Sequence, residues 1–258
     1  MDSARSYTVQ GIVLRHYVLG ENDKILVLFT RDQGLKRVVG KGMRKANTRI
    51  GGRLEPLREN QIQLAKGRSM DVVVQAEGTQ RFPAVMEDLD RLAVAIAAAE
   101  VLMAFLEEDD PAPEIYDLYV SLLAALVPGT EPQVLTAAFE LQVLDLLGYR
   151  PELDACLACE RAIETGDEAY ALNIEAGGVI CDRCGPTTAG RQIRMSAGGW
   201  RLLRQLQETP LDALAGVTDE PRRLAGMRRA LREYLGFRAE KDLKAQGMFE
   251  WIPTTAPA

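Results

Sequence analysis

Residues 9–40 read VQGIVLRHYVLGENDKILVLFTRDQGLKRVVG, and this run decides how the first third of the chain folds. Three apolar runs, 9–19, 25–30 and 35–40, are separated by Asn22-Asp23 and by Asp32-Gln33-Gly34, residue types that favour tight turns. No 3.6-residue helical period runs through them. Two further runs at 61–64 and 70–76 bring the candidate strands before residue 81 to five. Five short strands in so little chain fit a small closed sheet, of which the five-stranded OB barrel is a nucleic-acid-binding example.

Within this region, residues 35–58 read LKRVVGKGMRKANTRIGGRLEPLR. Lys36, Arg37, Lys41, Arg44, Lys45, Arg49, Arg53 and Arg58 face a single acid, Glu55, and Gly40, Gly42, Gly51 and Gly52 let backbone approach a ligand closely. Cations on a loop leaving a barrel strand suit a phosphate backbone, whose binding releases counterions. A charge cluster is more commonly a solvated face; eight cations against one anion in an acidic protein favour nucleic acid. We take Lys36, Arg37, Lys41, Arg44, Lys45, Arg49 and Arg53 as candidate DNA contacts. Tyr7 and Tyr17 are weak candidates for base stacking, and Phe29, inside an apolar run, reads as core. The stretch is not a phosphate-binding P-loop, because Lys41 is followed by Gly42 where Ser or Thr is required.

The net charge of −6 conceals two basic ends around an acidic middle: residues 1–80 carry +6, 81–190 carry −16 and 191–258 carry +4. Such asymmetry hints at an anionic partner. With 47% hydrophobic and 26% charged residues the composition is that of a globular protein with a real core. No apolar run approaches membrane-spanning length and no charged-then-apolar leader precedes Tyr7, so a cytoplasmic location is expected.

After Arg81-Phe82-Pro83 the period changes. Leu89, Leu92, Ile96, Ala99, Met103 and Leu106 recur at helical spacing, and the acids of residues 107–110 followed by Pro111 end that helix. Two more helices are expected over 114–126 and 132–147, the latter closed by Gly148. Ser196 is a candidate N-cap for a helix through Trp200, Leu203 and Leu206. The last helix begins at Pro221 and buries Leu224, Met227, Leu231 and Tyr234. Its arginines, Arg222, Arg223, Arg228, Arg229 and Arg232, are expected on the outside, either solvating the helix or extending a DNA track.

All four cysteines lie between Pro151 and Pro186, as Cys156-Leu157-Ala158-Cys159 and Cys181-Asp182-Arg183-Cys184. Two Cys-x-x-Cys turns across one insert suit a tetrahedral site for one structural zinc ion, which leaves no open coordination position for catalysis. Redox dithiols or two disulfides are the alternatives; the first wants a βαβ context and the second a secreted protein. A ribbon hairpin is expected from strands at 169–172 and 179–181. Gly185 after the second pair supplies permissive backbone for a metal knuckle, whereas Glu160 follows the first. The fold class is therefore α+β: an OB-type barrel over 1–80, then a helical domain over 81–258 with a zinc ribbon, 151–190, inserted.

His16 is the sole histidine, which excludes His-based triads and H-E-x-x-H sites. Nucleophile-elbow and dinucleotide-binding patterns are also missing. The carboxylates, Asp88 with Asp90 and those of residues 107–110, fall at helix ends, where capping and solvation explain them. Nothing supports an enzyme; the rivals kept are a zinc-ribbon nucleic-acid-processing enzyme and a scaffold acting through its acidic helices.

Three segments carry a family likeness. GIVLRHYVLGENDKILVLFTRDQGLKRVVGKGMRK (11–45), FELQVLDLLGYRPELDACLAC (139–159) and CDRC (181–184) resemble the bacterial RecO family of DNA repair and recombination proteins, in order and over nearly the whole chain. The most specific residues are Gly20-Glu21-x-Asp23, Thr30-x-x-x-Gly34, Gly40-Lys41-Gly42-x-Arg44 and Gly148-Tyr149-x-Pro151. The resemblance implies an OB domain, a helical domain and, as in some members, a zinc-binding segment. It implies binding of single- and double-stranded DNA, annealing of complementary strands, and, with RecR, assistance to RecA loading on strands coated by single-strand-binding protein, in the cytoplasm at the nucleoid. Carried over by residue are Cys156, Cys159, Cys181 and Cys184 as zinc ligands and the basic stretch from Lys36 to Arg53 as DNA contacts.

Overall fold

Alternating apolar residues and well-placed turns produce the five N-terminal strands: β1 (Ser6–Leu19), β2 (Asp23–Thr30), β3 (Gly34–Gly40), β4 (Glu59–Ala65) and β5 (Asp71–Gln80). The structure, a computed structural model, describes residues 6–44, 52, 54–163, 170–241 and 243–245. The strands close into an OB-type barrel in the order β1-β2-β3-β5-β4, with β3 and β5 parallel and the other pairs antiparallel. β1 starts three residues earlier than the apolar run, because Ser6, Tyr7 and Thr8 pair with Ala65, Leu64 and Gln63 of β4. Val9, Val13, Leu26, Leu28, Val38, Ile62, Leu64, Val73 and Ala76 fill the interior.

One irregularity controls which side chains face out. The register between β1 and β2 shifts between Val13 and Arg15, so Leu14 is an extra residue, and Ile12, Val13 and Leu14 are all buried. A bulge of this kind reverses the in-out parity of the strand beyond it. Val13 pairs with Leu28 on the inside, yet Arg15 pairs with Val27 and Tyr17 with Ile25 on the outside.

The outer face of β1–β3 is half covered. Ile12, Phe29 and Leu35 form one row of paired residues that joins the helical core, and the Phe29 ring meets Tyr116 edge-on at 5.3 Å. Gly34 takes a φ of +64°, and a Cβ there would lie 1.9 Å from the Asp110 carbonyl oxygen, so only glycine permits this close passage of the chain. The Asp109 amide donates to the Leu35 carbonyl at 2.9 Å, and Arg31 forks onto Asp117 at 2.9 and 2.8 Å.

The helical layer consists of α1 (Pro83–Met86), α2 (Leu89–Phe105), α3 (Pro113–Ala125), α4 (Pro132–Leu146), α5 (Ala197–Glu208) and α6 (Pro221–Ala239). Asp88 caps α2 by accepting from the Asp90 and Arg91 amides, and Ser196 caps α5 by accepting from the Gly199 amide. Gly148, at φ +77°, closes α4 as expected. The large apolar stripe expected for α2 is only partly its buried face. Leu89 is 82% exposed and Ile96 38%, while Ala93, Ala95, Ala97, Ala98 and Ala99 are buried. Alanines allow α4 and β1 to approach closely, so the small residues face the core.

Arg228 also departs from expectation. It lies inside, forked onto Glu140 of α4, because it follows the buried Met227 on the face of α6 that packs against α4.

Candidate metal centre and nucleic-acid interface

Between α4 and α5 the chain builds a three-stranded sheet, β7-β6-β8, from β6 (Tyr170–Asn173), β7 (Gly178–Ile180) and β8 (Gln192–Met195). The hairpin expected from sequence is β6–β7; Ala169 lies outside the described residues, and β8 is an addition. The Leu157 amide donates to Val179 and the Val179 amide to Glu152, which brings the first Cys-x-x-Cys turn alongside β7. Trp200 of α5 anchors the unit: its indole N–H donates to the Leu153 carbonyl at 3.1 Å, and its ring lies 5.4 Å from that of Tyr170.

These contacts gather the sulfurs of Cys156, Cys159, Cys181 and Cys184 within 4.8 Å of one another, with Cys159 and Cys181 at 4.0 Å. A tetrahedron with metal–sulfur bonds of about 2.3 Å needs sulfurs about 3.8 Å apart, so the cluster is nearly the right size to hold a metal ion. None of the four is in a disulfide. Burial raises the Cys156 thiol, but backbone N–H groups of Cys181, Ala158 and Cys159 outweigh it and bring the pKa down to about 6. Hydrogen bonds with Cys181 and Cys159 push Cys184 up to about 12. A cation at the centre would remove this conflict between neighbouring thiols. Glu160 adopts φ +57° after the first pair, the left-handed geometry a knuckle demands. Gly185 does not: the chain enters a 3-10 turn over Gly185–Thr187 without positive φ, so the permissive backbone expected there is not used.

The expected DNA contacts separate into distinct settings. Lys36 shares the inward parity of Leu28, its partner across β2–β3, and only 9% of its side chain is exposed. It ion-pairs with Asp109 at the barrel end, beside Tyr7 and Asp71. Its charge is satisfied within the chain. The nearby cleft of about 650 Å³ is lined by Lys36, Arg37 and Lys66 against Asp32, Asp71, Glu108 and Asp109, a poor lining for an anion.

Arg37 points outward, 62% exposed, and pairs with Glu108 at 2.8 Å. Lys41 and Arg44 are exposed on the turn after β3. That turn is fastened to the β1–β2 hairpin: the Arg44 guanidinium donates to the Gly20 carbonyl at 2.9 Å, its amide donates to Asn22 at 3.0 Å, and the Gly42 amide donates to the Asp23 carboxylate at 2.8 Å. Lys45, Arg49 and Arg53 lie outside the described residues. Sequence reasoning missed Arg15, which the bulge places on the same outer row as Arg37 through Val27. The signal was the unbroken apolar triplet Ile12-Val13-Leu14, which strict alternation does not allow. Among the described residues no helix is long and apolar enough to cross a membrane.

The comparisons with known proteins agree with this architecture. Residues 1–82 match the family model described as "Recombination protein O N terminal" and residues 86–247 the one described as "Recombination protein O C terminal". The chain is 33% identical to the DNA repair protein RecO of Pelotomaculum thermopropionicum over 95% of its length and 93% of the relative's. It is 32% identical to the DNA repair protein RecO of Gloeobacter violaceus over 99% of this chain and 98% of that one, and 30% identical to that of a Roseiflexus species over 98% and 90%. A barrel matched by the first family model, followed by helices and a cysteine cluster matched by the second, places the chain in the recombination protein O (RecO) family, whose work is recombination in DNA repair.

Proposed function

We propose that this chain is a non-catalytic recombination mediator that binds single- and double-stranded DNA and anneals complementary strands. With RecR it would help RecA load onto strands coated by single-strand-binding protein, in the cytoplasm at the nucleoid. The observation that carries the reading is the family match across both halves of the chain. The exposed cations Arg37, Lys41 and Arg44, joined by Arg15, support it by their exposure on β1, β3 and the turn after β3. Annealing in this scheme is electrostatic: phosphates of two strands are neutralised together, and their bases pair without nucleotide hydrolysis. Lys45, Arg49 and Arg53 continue the same basic stretch in sequence.

Cys156, Cys159, Cys181 and Cys184 would hold one zinc ion. A zinc ion bound by four thiolates gives structural cross-linking and no open position for substrate. In this reading the cysteines tie the turn of residues 156–159 to the turn that follows β7, and the DNA chemistry belongs to the barrel.

The test is strand annealing across a salt series, with wild type beside a Lys41→Glu, Arg44→Glu variant and with magnesium present. Annealing that falls steeply with salt, weakens in the variant and leaves DNA length unchanged supports the mediator. Salt-insensitive binding overturns the electrostatic mechanism, and cleavage of labelled DNA overturns the non-catalytic reading.

A further inference from the structure

The helix that follows the barrel carries apolar residues on two sides. The alanines of α2 face α4 and β1. On its other side Leu89, Leu92, Ile96 and Met103 follow one another at steps of three, four and seven residues, which lines them up along one face. Leu89 is 82% exposed and Ile96 38%, while Leu92 and Met103 are half buried. Single exposed leucines are common on protein surfaces, but a line of apolar residues marks a face that something covers.

The last described residues of the chain come to this same face. Lys241 Nζ donates to the Ala104 carbonyl at 2.9 Å, and the Ala245 amide donates to the Glu100 carboxylate at 2.7 Å. The contacts step back along α2 by one turn, toward its N-terminus, and Ile96 lies one further turn in that direction. Leu243 and Ala245 belong to the helical core, so the chain is anchored at this point. Residues 246–258, outside the described residues, read QGMFEWIPTTAPA. Met248, Phe249, Trp251 and Ile252 fall within five positions, and segments that stay in solvent are poor in such residues. From Glu100 to Leu89 the helix rises about 16 Å, and the seven residues after Ala245 reach about 23 Å when extended. The segment is long enough to cover the stripe.

We propose that residues 248–252 dock along the Leu89–Ile96 stripe of α2, with the Trp251 indole on the stripe, so that the end of this chain is the partner its exposed face fits. Three observations meet here: an exposed apolar line, a chain that arrives on it at Glu100 heading the right way, and an apolar run that starts within reach. Docking would hold α2 between the C-terminal segment and the α4 and β1 side, and so fasten the end of the chain to the helix that adjoins the barrel. The inference does not rest on DNA binding.

Fluorescence of the full-length chain tests this directly, because Trp200 and Trp251 are its two tryptophans. Trp200 is buried in the metal segment and gives a constant background, so the signal of Trp251 is the difference between wild type and Trp251→Phe. That signal is expected to lie to the blue of tryptophan in water and to resist quenching by acrylamide. Leu89→Glu and Ile96→Glu should each shift it to the red and raise its quenching several-fold, with thermal melting used to show that the variants fold. With Trp251→Phe in place, neither substitution should change the spectrum. A Trp251 that quenches in wild type like the free amino acid, or that ignores both substitutions, overturns the proposal. A dimer in sedimentation that Ile96→Glu splits would give the stripe to a second copy of the chain and overturn it as well.

Discussion

Arg228 of α6 and Glu140 of α4 meet inside the helical core, with the guanidinium forked onto the carboxylate and Arg228 Nη2 donating to Glu140 Oε1 at 3.0 Å. Their side chains are 9% and 0% exposed. Removing one partner strands the other charge away from water, which costs about 3–5 kcal/mol, whereas replacing both by apolar residues is often neutral. Glu140→Ala should therefore lower unfolding stability in urea by several kcal/mol, and Glu140→Leu with Arg228→Met should recover most of the loss. A single substitution that costs under about 1 kcal/mol would show the pair to be dispensable.

Removal of the proposed zinc ion should separate stability from DNA binding. Trp200, Tyr170, Ile163 and Val179 pack in one small core with Cys156 and Cys181, so loss of a metal cross-link would loosen that core first. The purified protein is expected to contain one zinc ion per chain by elemental analysis. A strong chelator, or Cys181→Ser, should lower the melting temperature while annealing persists below the new transition. Loss of annealing by a variant that is still folded would give the metal segment a direct part in DNA binding.

The cysteine cluster and the closed barrel were legible in sequence because spacing and turn chemistry act locally. Each Cys-x-x-Cys turn brings its own two sulfurs together locally, and Asp32-Gln33-Gly34 turns the chain between β2 and β3. What escaped depends on parity and on distant partners. Lys36 and Arg37 look equivalent in a basic run, yet strand alternation sends one inward to Asp109 and the other outward. Arg228 belongs to a run of arginines, and the arrival of Glu140 from α4 helps make its burial tolerable. Arg15 escaped because the bulge that turns it outward is a property of the β1–β2 pairing, not of β1 alone.

Acid should weaken the joint between barrel and helices. Two hydrogen bonds from Arg31 hold the Asp117 carboxyl below the ordinary carboxylate range, outweighing the small opposing effect of its burial. A carboxyl with a depressed folded pKa contributes stability above the unfolded value of about 3.9 and loses it as pH falls through the folded value. Wild type should accordingly be more stable than Asp117→Asn at pH 6, and the difference should shrink below about pH 4. The pair is exposed, so the advantage is small and should decline with added salt. A stability difference that stays constant from pH 6 to pH 2 would contradict this assignment.

In the proposed reading, Glu108 is expected to compete with DNA for Arg37. The segment after α2 runs beside β3, where Leu35 and Glu108 form an isolated parallel bridge and the Asp109 amide donates to Leu35. This backbone pairing delivers the Glu108 carboxylate to Arg37 at 2.8 Å, with both side chains at least half exposed. An exposed pair of this kind is worth about 0.2–1 kcal/mol, a barrier that an incoming phosphate can overcome but must still displace. Glu108→Gln frees Arg37 without altering the backbone bridge, so single-strand affinity should rise by up to about fivefold at low salt. Arg37→Gln should lower affinity and make the Glu108 substitution nearly silent. Titrating the two single variants and the double variant against one oligonucleotide measures the coupling directly. Additive effects would mean that the carboxylate repels DNA at long range and does not hold Arg37 back.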